Sequence, residues 1–325
     1  MMESPRLSII MPVYNSAQYV ESAIKSVINQ TFKDWELIIV DDGSTDKSLS
    51  ICKDFTKKDI RIVCYSKSNG GQASARNLAL GKVQGEFITF IDSDDELLDS
   101  TTYEKAIMAI ESNPKLSCVQ YRCSRILEDG RIIPDFYRGS QPLLLQSKRE
   151  FFEHVEVISD YLSQKRSLSS GQCDKIYRKN IFDGLRYKEG TIFEDTSLSV
   201  HIFNRANSIL LIPEGGYGYY VRDNSTTTKK RTIKAYQDQL SSQLGMLQGL
   251  IENNGETEDI KMVANMLRKF IIGIYVEHGL NSNLSAPIKT LNQLCILAGI
   301  PTYTYFNIKL SAVLHIFVKL IRSHK

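Results

Sequence analysis

The amino-acid sequence predicts an α/β fold in which a mostly parallel central sheet is flanked by helices and followed by an all-helical C-terminal region. Two observations predict this fold. Short apolar runs of strand length alternate with helical patterns over residues 1–125, and from about Thr232 the pattern is wholly helical. We therefore expect one domain over residues 1–228 and a helical region over residues 229–325.

Strands and helices alternate strictly in the first part of the chain. Each strand run is rich in β-branched residues, and the helical stretch over residues 17–29 repeats its apolar residues at helical spacing. Because a strand, a crossover helix and the next strand pair in parallel with a right-handed connection, this rhythm predicts a doubly wound sheet. The predicted strands cover residues 7–13, 36–40, 60–65 and 86–91, and the predicted helices cover residues 17–29, 47–55 and 73–80.

The elements predicted after the fourth strand are less regular. Residues 128–130 read Glu-Asp-Gly, which is typical of a hairpin turn. Residues 194–203 form a predicted helix that opens with two acids, which suit the positive end of its dipole. The other expected elements are helices over 100–111, 148–162, 232–253, 258–279 and 287–298, and strands over 116–124, 208–212 and 218–221.

Composition argues against several classes of protein. The net charge of +3 arises from 40 basic and 37 acidic residues, so no global field would recruit nucleic acid. The six cysteines are scattered without zinc-ligand spacing, which fits reduced thiols in a cytoplasmic protein. The N-terminus lacks the pattern of a signal peptide, and no apolar run reaches the length of about 18 residues that a spanning helix needs.

Polar clusters follow each of the four predicted strands. Parallel strands place their carboxyl ends at one edge of the sheet, where ligands bind at a switch in strand order, so we expect these clusters to form one site. In chain order the clusters are Pro12-Val13-Tyr14-Asn15, residues 41–46, residues 69–77, and Asp92-Ser93-Asp94-Asp95.

The strongest of these signals is the acidic turn at residues 92–95, which places three carboxylates directly after a buried strand. Crowded carboxylates repel one another, and a hard divalent ion such as Mg²⁺ or Mn²⁺ relieves that repulsion. A solvated acidic loop that caps the next helix is the alternative. An EF-hand is disfavoured because Leu97 and Tyr103 stand where that loop needs glycine and glutamate.

The other clusters also admit simpler interpretations. Asp41 ends the second strand, where a base or ribose would be hydrogen-bonded, yet Asp, Gly and Ser are also typical of turns and helix caps. Gly70 and Gly71 let the backbone approach a ligand and Arg76 offers a planar fork of donors, or they form a plain turn beside a surface arginine. The sequence contains neither the dinucleotide-binding nor the ATPase glycine motif.

In their order and spacing these motifs resemble the inverting glycosyltransferases of family two, which have the Rossmann-like fold named GT-A. The resemblance covers residues 5–225 and points to the bacterial capsular and cell-surface polysaccharide type. It is carried by residues 8–15, residues 40–46, Gly71-x-x-Ser74-Ala75-Arg76-Asn77, residues 92–95, Phe193-Glu194-Asp195, and Tyr219-Tyr220-Val221-Arg222-x-x-Asn224-Ser225.

The resemblance implies a role for each matching position. Asp92 would meet the ribose and the metal shell, and Asp94 would be the principal ligand of Mn²⁺ or Mg²⁺. Asp195 would be the catalytic base, with Glu194 beside it. The positions implied to bind the nucleotide are Pro12, Val13, Tyr14, Asn15, Asp41, Asn69, Arg76 and Ser93, with Arg222 and Ser225 closing over the diphosphate.

The activity implied by the resemblance is transfer of a hexose-type sugar, with inversion, from a nucleotide diphosphate sugar to a glycan or lipid-linked saccharide hydroxyl. A UDP-sugar is the expected donor. A non-catalytic nucleotide-sugar-binding module is one alternative. A sugar-1-phosphate nucleotidyltransferase would carry a glycine-rich loop where residues 12–15 stand, and a glycoside hydrolase would not need base-binding clusters.

Two segments outside the shared motifs leave alternatives open. By the resemblance, the basic segment 174–179 lies on the acceptor side, but it could equally be a solvated turn. Residues 309–325 form a basic amphipathic pattern that could lie peripherally on an anionic membrane or dock on the protein's own core. The helical region could also mediate formation of a homo-oligomer.

Overall fold

The computed structural model of the protein describes residues 4–133, 150–153, 168–169, 171–206, 208–222, 232–254, 257–278, 283–302, 307–309 and 311–312. The chain divides into two compact units, Met1–Gly190 with Ile202–Lys229 and Thr191–His201 with Lys230–Lys325. The division at Lys229 lies next to the boundary expected from the sequence. Residues 191–201 differ from that expectation, because they belong to the second unit.

The strands of the first unit form two sheets. Its described strands are β1 (Leu7–Val13), β2 (Trp35–Asp41), β3 (Ile62–Ser66), β4 (Phe87–Phe90), β5 (Glu96–Leu97), β6 (Cys118–Gln120), β7 (Cys123–Ile126), β8 (Ile132–Ile133), β9 (Glu150–Glu153), β10 (Lys175–Arg178), β11 (Ser208–Leu211) and β12 (Tyr217–Tyr220). The larger sheet has the order β3-β2-β1-β4-β10-β6-β11-β9, and the smaller has the order β5-β12-β7-β8.

The larger sheet is mixed. β1 pairs in parallel with β2 and β4, β2 with β3, and β6 with β11. β10 is antiparallel to both β4 and β6, and β9 is antiparallel to β11. The predicted α/β fold is therefore confirmed, and its first four strands form the parallel part that the sequence rhythm predicts.

Helices α1 (Val20–Ile28), α2 (Ser48–Thr56) and α3 (Gln72–Leu80) connect the first four strands, and α4 (Thr102–Glu111) follows them. Every residue of β1, β2 and β4 is buried, as is typical of strands covered on both faces. On α1 the buried apolar residues are Val20, Ala23, Ile24 and Val27, which is the face that the sequence spacing predicts. This packing fixes where the strands end.

Three sequence expectations for this unit are corrected. The strand expected over 116–124 is two strands, because the chain leaves the larger sheet after β6 and continues as β7 in the smaller one. The helix expected over 148–162 is wrong at β9, which pairs with the free edge of β11, and the rest of that range lies outside the described residues. The basic segment 174–179 contains strand β10 and a short 3-10 helix at Lys179–Phe182.

The second unit is helical, which confirms the predicted C-terminal region. It contains α5 (Glu194–Arg205) as far as His201, and α6 (Ile233–Glu252), α7 (Thr257–His278) and α8 (Ser285–Leu297) follow. Thr232 caps the N-terminus of α6, because its side chain accepts a hydrogen bond from the Ala235 N–H at 3.2 Å. The buried apolar residues of these helices include Leu240, Leu247, Val263, Leu267 and Leu291.

Within the described ranges, no helix has both the length and the apolar character needed to cross a membrane. The amphipathic pattern at residues 309–325 lies outside the described residues except for Lys309, Ser311 and Ala312. Its membrane contact therefore stays a prediction.

Candidate active site at the carboxyl edge of the larger sheet

The strand order of the larger sheet reverses between β1 and β4. The chain runs outward from β1 through β2 to β3 and then returns to place β4 on the other side of β1. In such sheets the ligand crevice opens at the carboxyl ends of the strands beside the reversal. The four polar clusters lie at this edge, where Pro12 and Val13 are buried as the last residues of β1.

The loops after β1 and β2 are joined by hydrogen bonds. The Asn15 backbone N–H donates to Ser44 Oγ at 3.0 Å, and Asn15 Oδ1 accepts from the Thr45 N–H at 2.8 Å. Asn15 has a φ of 48°, a conformation that asparagine adopts more readily than most residues. The Asn15 side chain therefore joins the two loops, and the neighbouring Tyr14 is 51% exposed at the edge.

Asp41 ends β2 and is only 1% exposed. Its Oδ2 accepts hydrogen bonds from Ser66 Oγ at 3.2 Å and from the Ser44 N–H at 3.3 Å. Its Oδ1 has no hydrogen-bond partner among the described residues. A buried acceptor without a partner is costly, so this oxygen is suited to a donor group from a ligand.

The adjacent Asp42 organises the glycine loop after β3. Its carboxylate accepts from Lys67 Nζ at 2.7 Å, from the Gly70 N–H at 3.0 Å and from the Gly71 N–H at 2.7 Å. Asn69 Nδ2 donates to the Asp42 carbonyl oxygen at 3.0 Å. Asp42, for which the sequence predicts no role, and Asn69 thus hold the two loops together, and the contact of Asn69 with the nucleotide stays a prediction.

Arg76 on α3 is 5% exposed, so it is not a surface arginine. Its Nη2 donates to Asp92 Oδ1 at 2.9 Å, and Gln72 Nε2 donates to the same oxygen at 2.9 Å. The guanidinium carbon lies 5.5 Å from the ring centroid of Tyr187 and 5.9 Å from that of Phe90. The rings and the carboxylate fix a planar cation beside the acidic turn.

The carboxylates that flank Ser93 have contrasting neighbours. The Asp94 side chain is 42% exposed and pairs with Arg222 Nη1 at 3.0 Å. Asp95 is 2% exposed, and it accepts hydrogen bonds from the Tyr217 hydroxyl at 2.6 Å and from the Tyr220 N–H at 2.9 Å. Asp94 therefore faces the edge, while Asp95 anchors the turn to β12.

Crowding perturbs the protonation of this turn. Burial, followed by the charge of Asp92, raises the pKa of Asp94. Burial raises the pKa of Asp95 well above its usual value, and the charges of Asp92 and Asp94 add to that effect. No group of three or more His, Cys, Asp or Glu side chains in the described part of the chain could hold a metal ion. A cation here would rely on one or two carboxylates together with ligand phosphates and water, as Mg²⁺ commonly does.

Three further predicted positions have distinct surroundings. Arg222 stacks on Tyr19, with 4.0 Å between its guanidinium carbon and the ring centroid. This stacking holds the guanidinium group at Asp94. Ser93 is buried and its Oγ lies 2.8 Å from Ser16 Oγ, so it joins the loops after β1 and β4. Ser225 lies outside the described residues.

Glu194 and Asp195 form the first turn of α5 in the second unit, where acids interact favourably with the helix dipole. Glu194 is 6% exposed and Asp195 is half-buried. Thr196 Oγ1 donates to Asp195 Oδ1 at 3.4 Å, and Ser199 Oγ donates to the Asp195 carbonyl oxygen at 2.8 Å. Phe193 precedes them with a φ of 63°, which is unusual for a bulky side chain and indicates a constrained turn.

Lys175 in β10 contradicts the expectation of a solvated basic turn. It is fully buried, and its Nζ donates to Ser169 Oγ at 2.7 Å, to the Gly171 carbonyl oxygen at 2.6 Å and to Asp174 Oδ1 at 2.6 Å. Three acceptors satisfy all three ammonium donors. The lysine therefore fixes the loop that enters β10, next to the carboxyl end of β4.

We predict that Tyr217→Phe lowers the free energy of unfolding by about 1–3 kcal/mol, because it leaves buried polar groups without a partner. The Tyr217 hydroxyl donates to Asp95 and accepts from the Asp92 N–H at 3.2 Å. Urea unfolding measures the change. Tyr103→Phe is the matched control, because the Tyr103 hydroxyl is equally buried but has no partner among the described residues. Equal stability of the two variants would contradict a bridging role for Tyr217.

Residues 8–168 match the sequence model of the protein family described as Glycosyl transferase family 2. Glycosyltransferase GlyA of Streptococcus pneumoniae is 26% identical over 255 residues, which cover 76% of this chain and 35% of that protein. The GalNAc(5)-diNAcBac-PP-undecaprenol beta-1,3-glucosyltransferase of Campylobacter jejuni is 31% identical over 205 residues, which cover 61% of this chain and 60% of that protein. The chain thus spans less than two thirds of either relative's length.

A solved structure shares the fold. The crystal structure of S. aureus TarS 1-349 in complex with UDP-GlcNAc matches with a TM-score of 0.69 at 19% identity, over 90% of this chain and 81% of that one. The residues matched by the family description include β1 to β4 and every loop of the crevice between them. The motifs at the sheet edge, the fold and the family match over residues 8–168 agree. The chain therefore belongs to glycosyltransferase family 2.

Proposed function

We propose that the protein is a metal-dependent, inverting glycosyltransferase that moves a hexose-type sugar from a UDP-sugar to a saccharide hydroxyl in cell-surface polysaccharide synthesis. The observation that carries this proposal is the grouping of Asp92, Asp94, Arg76 and Arg222 beside the strand reversal. Two carboxylates and two guanidinium groups at one edge suit a cation and a diphosphate together. The UDP-GlcNAc named for TarS and the undecaprenol-linked acceptor named for the Campylobacter enzyme support the donor and acceptor classes.

Asp41 and Tyr14 support nucleoside binding at this edge. Uracil presents an N–H donor, and Asp41 Oδ1 is a buried acceptor without a partner among the described residues. Tyr14 offers an exposed ring at the end of β1 on which a base could stack. Together they suit a planar base that carries a hydrogen-bond donor.

Asp92 and Asp94 would hold Mn²⁺ or Mg²⁺. Burial and then the charge of Asp92 raise the pKa of Asp94, and a divalent ion between the two carboxylates would relieve their repulsion. When bound, the ion supplies charge neutralisation for the departing diphosphate. Arg222, which pairs with Asp94, would place a second positive charge beside the oxygens of the diphosphate.

Asp195 would accept the proton of the attacking saccharide hydroxyl. It lies in the first turn of α5, where the helix dipole favours negative charge. Attack from the face opposite the leaving diphosphate inverts the anomeric carbon in one step. An α-linked donor would then give a β-linked product.

Thermal unfolding in the presence of nucleotide sugars tests the donor class. We expect UDP-sugars with Mn²⁺ to raise Tm, since a ligand at about 100 times its Kd stabilises by about 2.7 kcal/mol. Arg76→Lys should weaken UDP binding about tenfold or more, because a hydrogen bond to a charged group contributes about 1.5–3 kcal/mol.

The matched control is Arg61→Lys. Arg61 also pairs with an aspartate, Asp59, but it precedes β3 and so lies at the opposite edge of the sheet. This variant should bind UDP like the wild type. If no UDP-sugar raises Tm, or if Arg61→Lys weakens binding as much as Arg76→Lys, the proposed nucleotide site is wrong.

A further inference from the structure

Helix α5 packs against α6 at two glycines. A Cβ atom added to Gly245 would lie 3.1 Å from Ser197 Cβ, and one added to Gly249 would lie 3.0 Å from both Cε1 and Nε2 of His201. The two glycines are four residues apart, and so are their two partners. Positions four apart share one face of a helix, so the two faces meet along a full turn.

The third glycine inside a described helix of the second unit makes no such approach. Gly273 also lies within a long helix of the second unit, α7, yet an added Cβ there would meet no atom within 4 Å. A glycine inside a helix costs about 1 kcal/mol relative to alanine in helix propensity. At Gly245 and Gly249 the absence of a side chain lets the two helices lie so close that an added Cβ atom would require Ser197 or His201 to shift.

The α5 segment seated on these glycines is the segment that presents the acid pair. Asp195 lies two residues before Ser197, so at about 1.5 Å of rise per residue it is about 3 Å along the helix axis from the contact. Ser199 Oγ bonds to the Asp195 carbonyl oxygen, and the constrained Phe193 turn fixes the chain immediately before the helix. A displacement of α5 at His201 would therefore move Asp195 with it.

We propose that α6 is a positioning element for Asp195, in which Gly245 and Gly249 set the place of the proposed base by seating α5. This inference rests on the proposed function, which makes Asp195 the proton acceptor. It also gives the C-terminal helical region a role in the transfer reaction itself.

Enlarging Gly249 tests the inference. Gly249→Val should push His201 away and lower kcat by about 10²-fold, because a displacement of about 1 Å in a reacting group can have that effect. The affinity for UDP with Mn²⁺, measured by calorimetry, should not change. Gly273→Val is the matched control, and its kcat and UDP affinity should equal those of the wild type. Turnover is measured as UDP release from the UDP-sugar that raises Tm most.

Removing the displaced side chain should reverse the defect. In the Gly249→Val background, His201→Ala restores the missing space, and kcat should rise to the value of the His201→Ala single variant. Gly249→Ala provides a milder test if the valine variant does not fold, and its kcat should lie below that of the wild type while its UDP affinity is unchanged.

An Asp195→Asn arm separates this inference from the proposed function. If Asp195→Asn lacks turnover but folded Gly249→Val and Gly249→Ala turn over at the wild-type rate, the positioning role is wrong and the base assignment stands. The positioning role is also wrong if Gly249→Val lowers UDP affinity in step with kcat, or if His201→Ala gives no recovery. If Asp195→Asn keeps full turnover, the base assignment fails and the inference fails with it.

Discussion

Asp195→Asn is expected to lower kcat by about 10²–10⁴-fold, the usual contribution of a general base. The substitution removes the proton acceptor but keeps the size of the side chain and an oxygen that can accept the Thr196 hydrogen bond. The fold and the nucleotide site should therefore survive. The affinity for UDP with Mn²⁺ should remain that of the wild type, measured by calorimetry beside the rate of UDP release.

Glu258→Gln is the matched control for this prediction. Glu258 is also an acid in the first turn of a helix of the second unit, but its side chain is 84% exposed. Both substitutions remove one negative charge from a helix N-terminus, so they share the loss of a dipole interaction. Only Asp195→Asn should lose turnover. Parallel losses of turnover and UDP affinity in Asp195→Asn would argue against a base at this position.

Asp94→Asn is expected to lower turnover by about 10²–10³-fold, since a metal ion contributes several kcal/mol to the stabilisation of charge in the transition state. The amide keeps an oxygen for Arg222 but loses the negative charge that a divalent ion needs. The residual rate should no longer rise when Mn²⁺ is added after dialysis against EDTA. The readout is UDP release as a function of Mn²⁺ concentration.

Asp99→Asn is the control for this second prediction. The Asp99 side chain is 37% exposed and pairs with Lys105 at 3.3 Å, whereas that of Asp94 is 42% exposed and pairs with Arg222 at 3.0 Å. The two aspartates thus match in exposure and in having one cationic partner. Asp99→Asn should keep the full response to Mn²⁺. A similar loss in both variants would indicate a general electrostatic effect instead of a cation at Asp94.

Much of the fold was predictable because its first four strands and three helices are local and strictly alternating. Each strand run carries its own β-branched pattern, and α1 carries a clear apolar face. β9 and β10 were missed because their pairing is not local. β9 pairs with β11, which lies more than fifty residues later in the chain. This pairing at the edge of the sheet outweighs the helical pattern of the local sequence.

The location of the candidate site was also predictable, since the carboxyl ends of parallel strands converge at one edge. The sequence could not tell a ligand-facing polar residue from one that binds a neighbouring loop. Asn15, Asn69 and Ser93 each form a hydrogen bond to another loop, a contact that no local pattern marks, and their contact with a nucleotide stays a prediction. Tyr217 was missed because 122 residues separate it from its partner Asp95, and no local pattern marks such a contact.

The most direct test of a cation held against a diphosphate at this edge is a calorimetric titration of UDP with Mn²⁺ and with EDTA. In the wild type, Mn²⁺ should tighten UDP binding by a coupling of about 1–3 kcal/mol, and UDP should tighten Mn²⁺ binding equally. In Asp94→Asn this coupling should vanish while UDP still binds. Equal UDP affinity with and without Mn²⁺ in the wild type, or full coupling in Asp94→Asn, would contradict the proposed site.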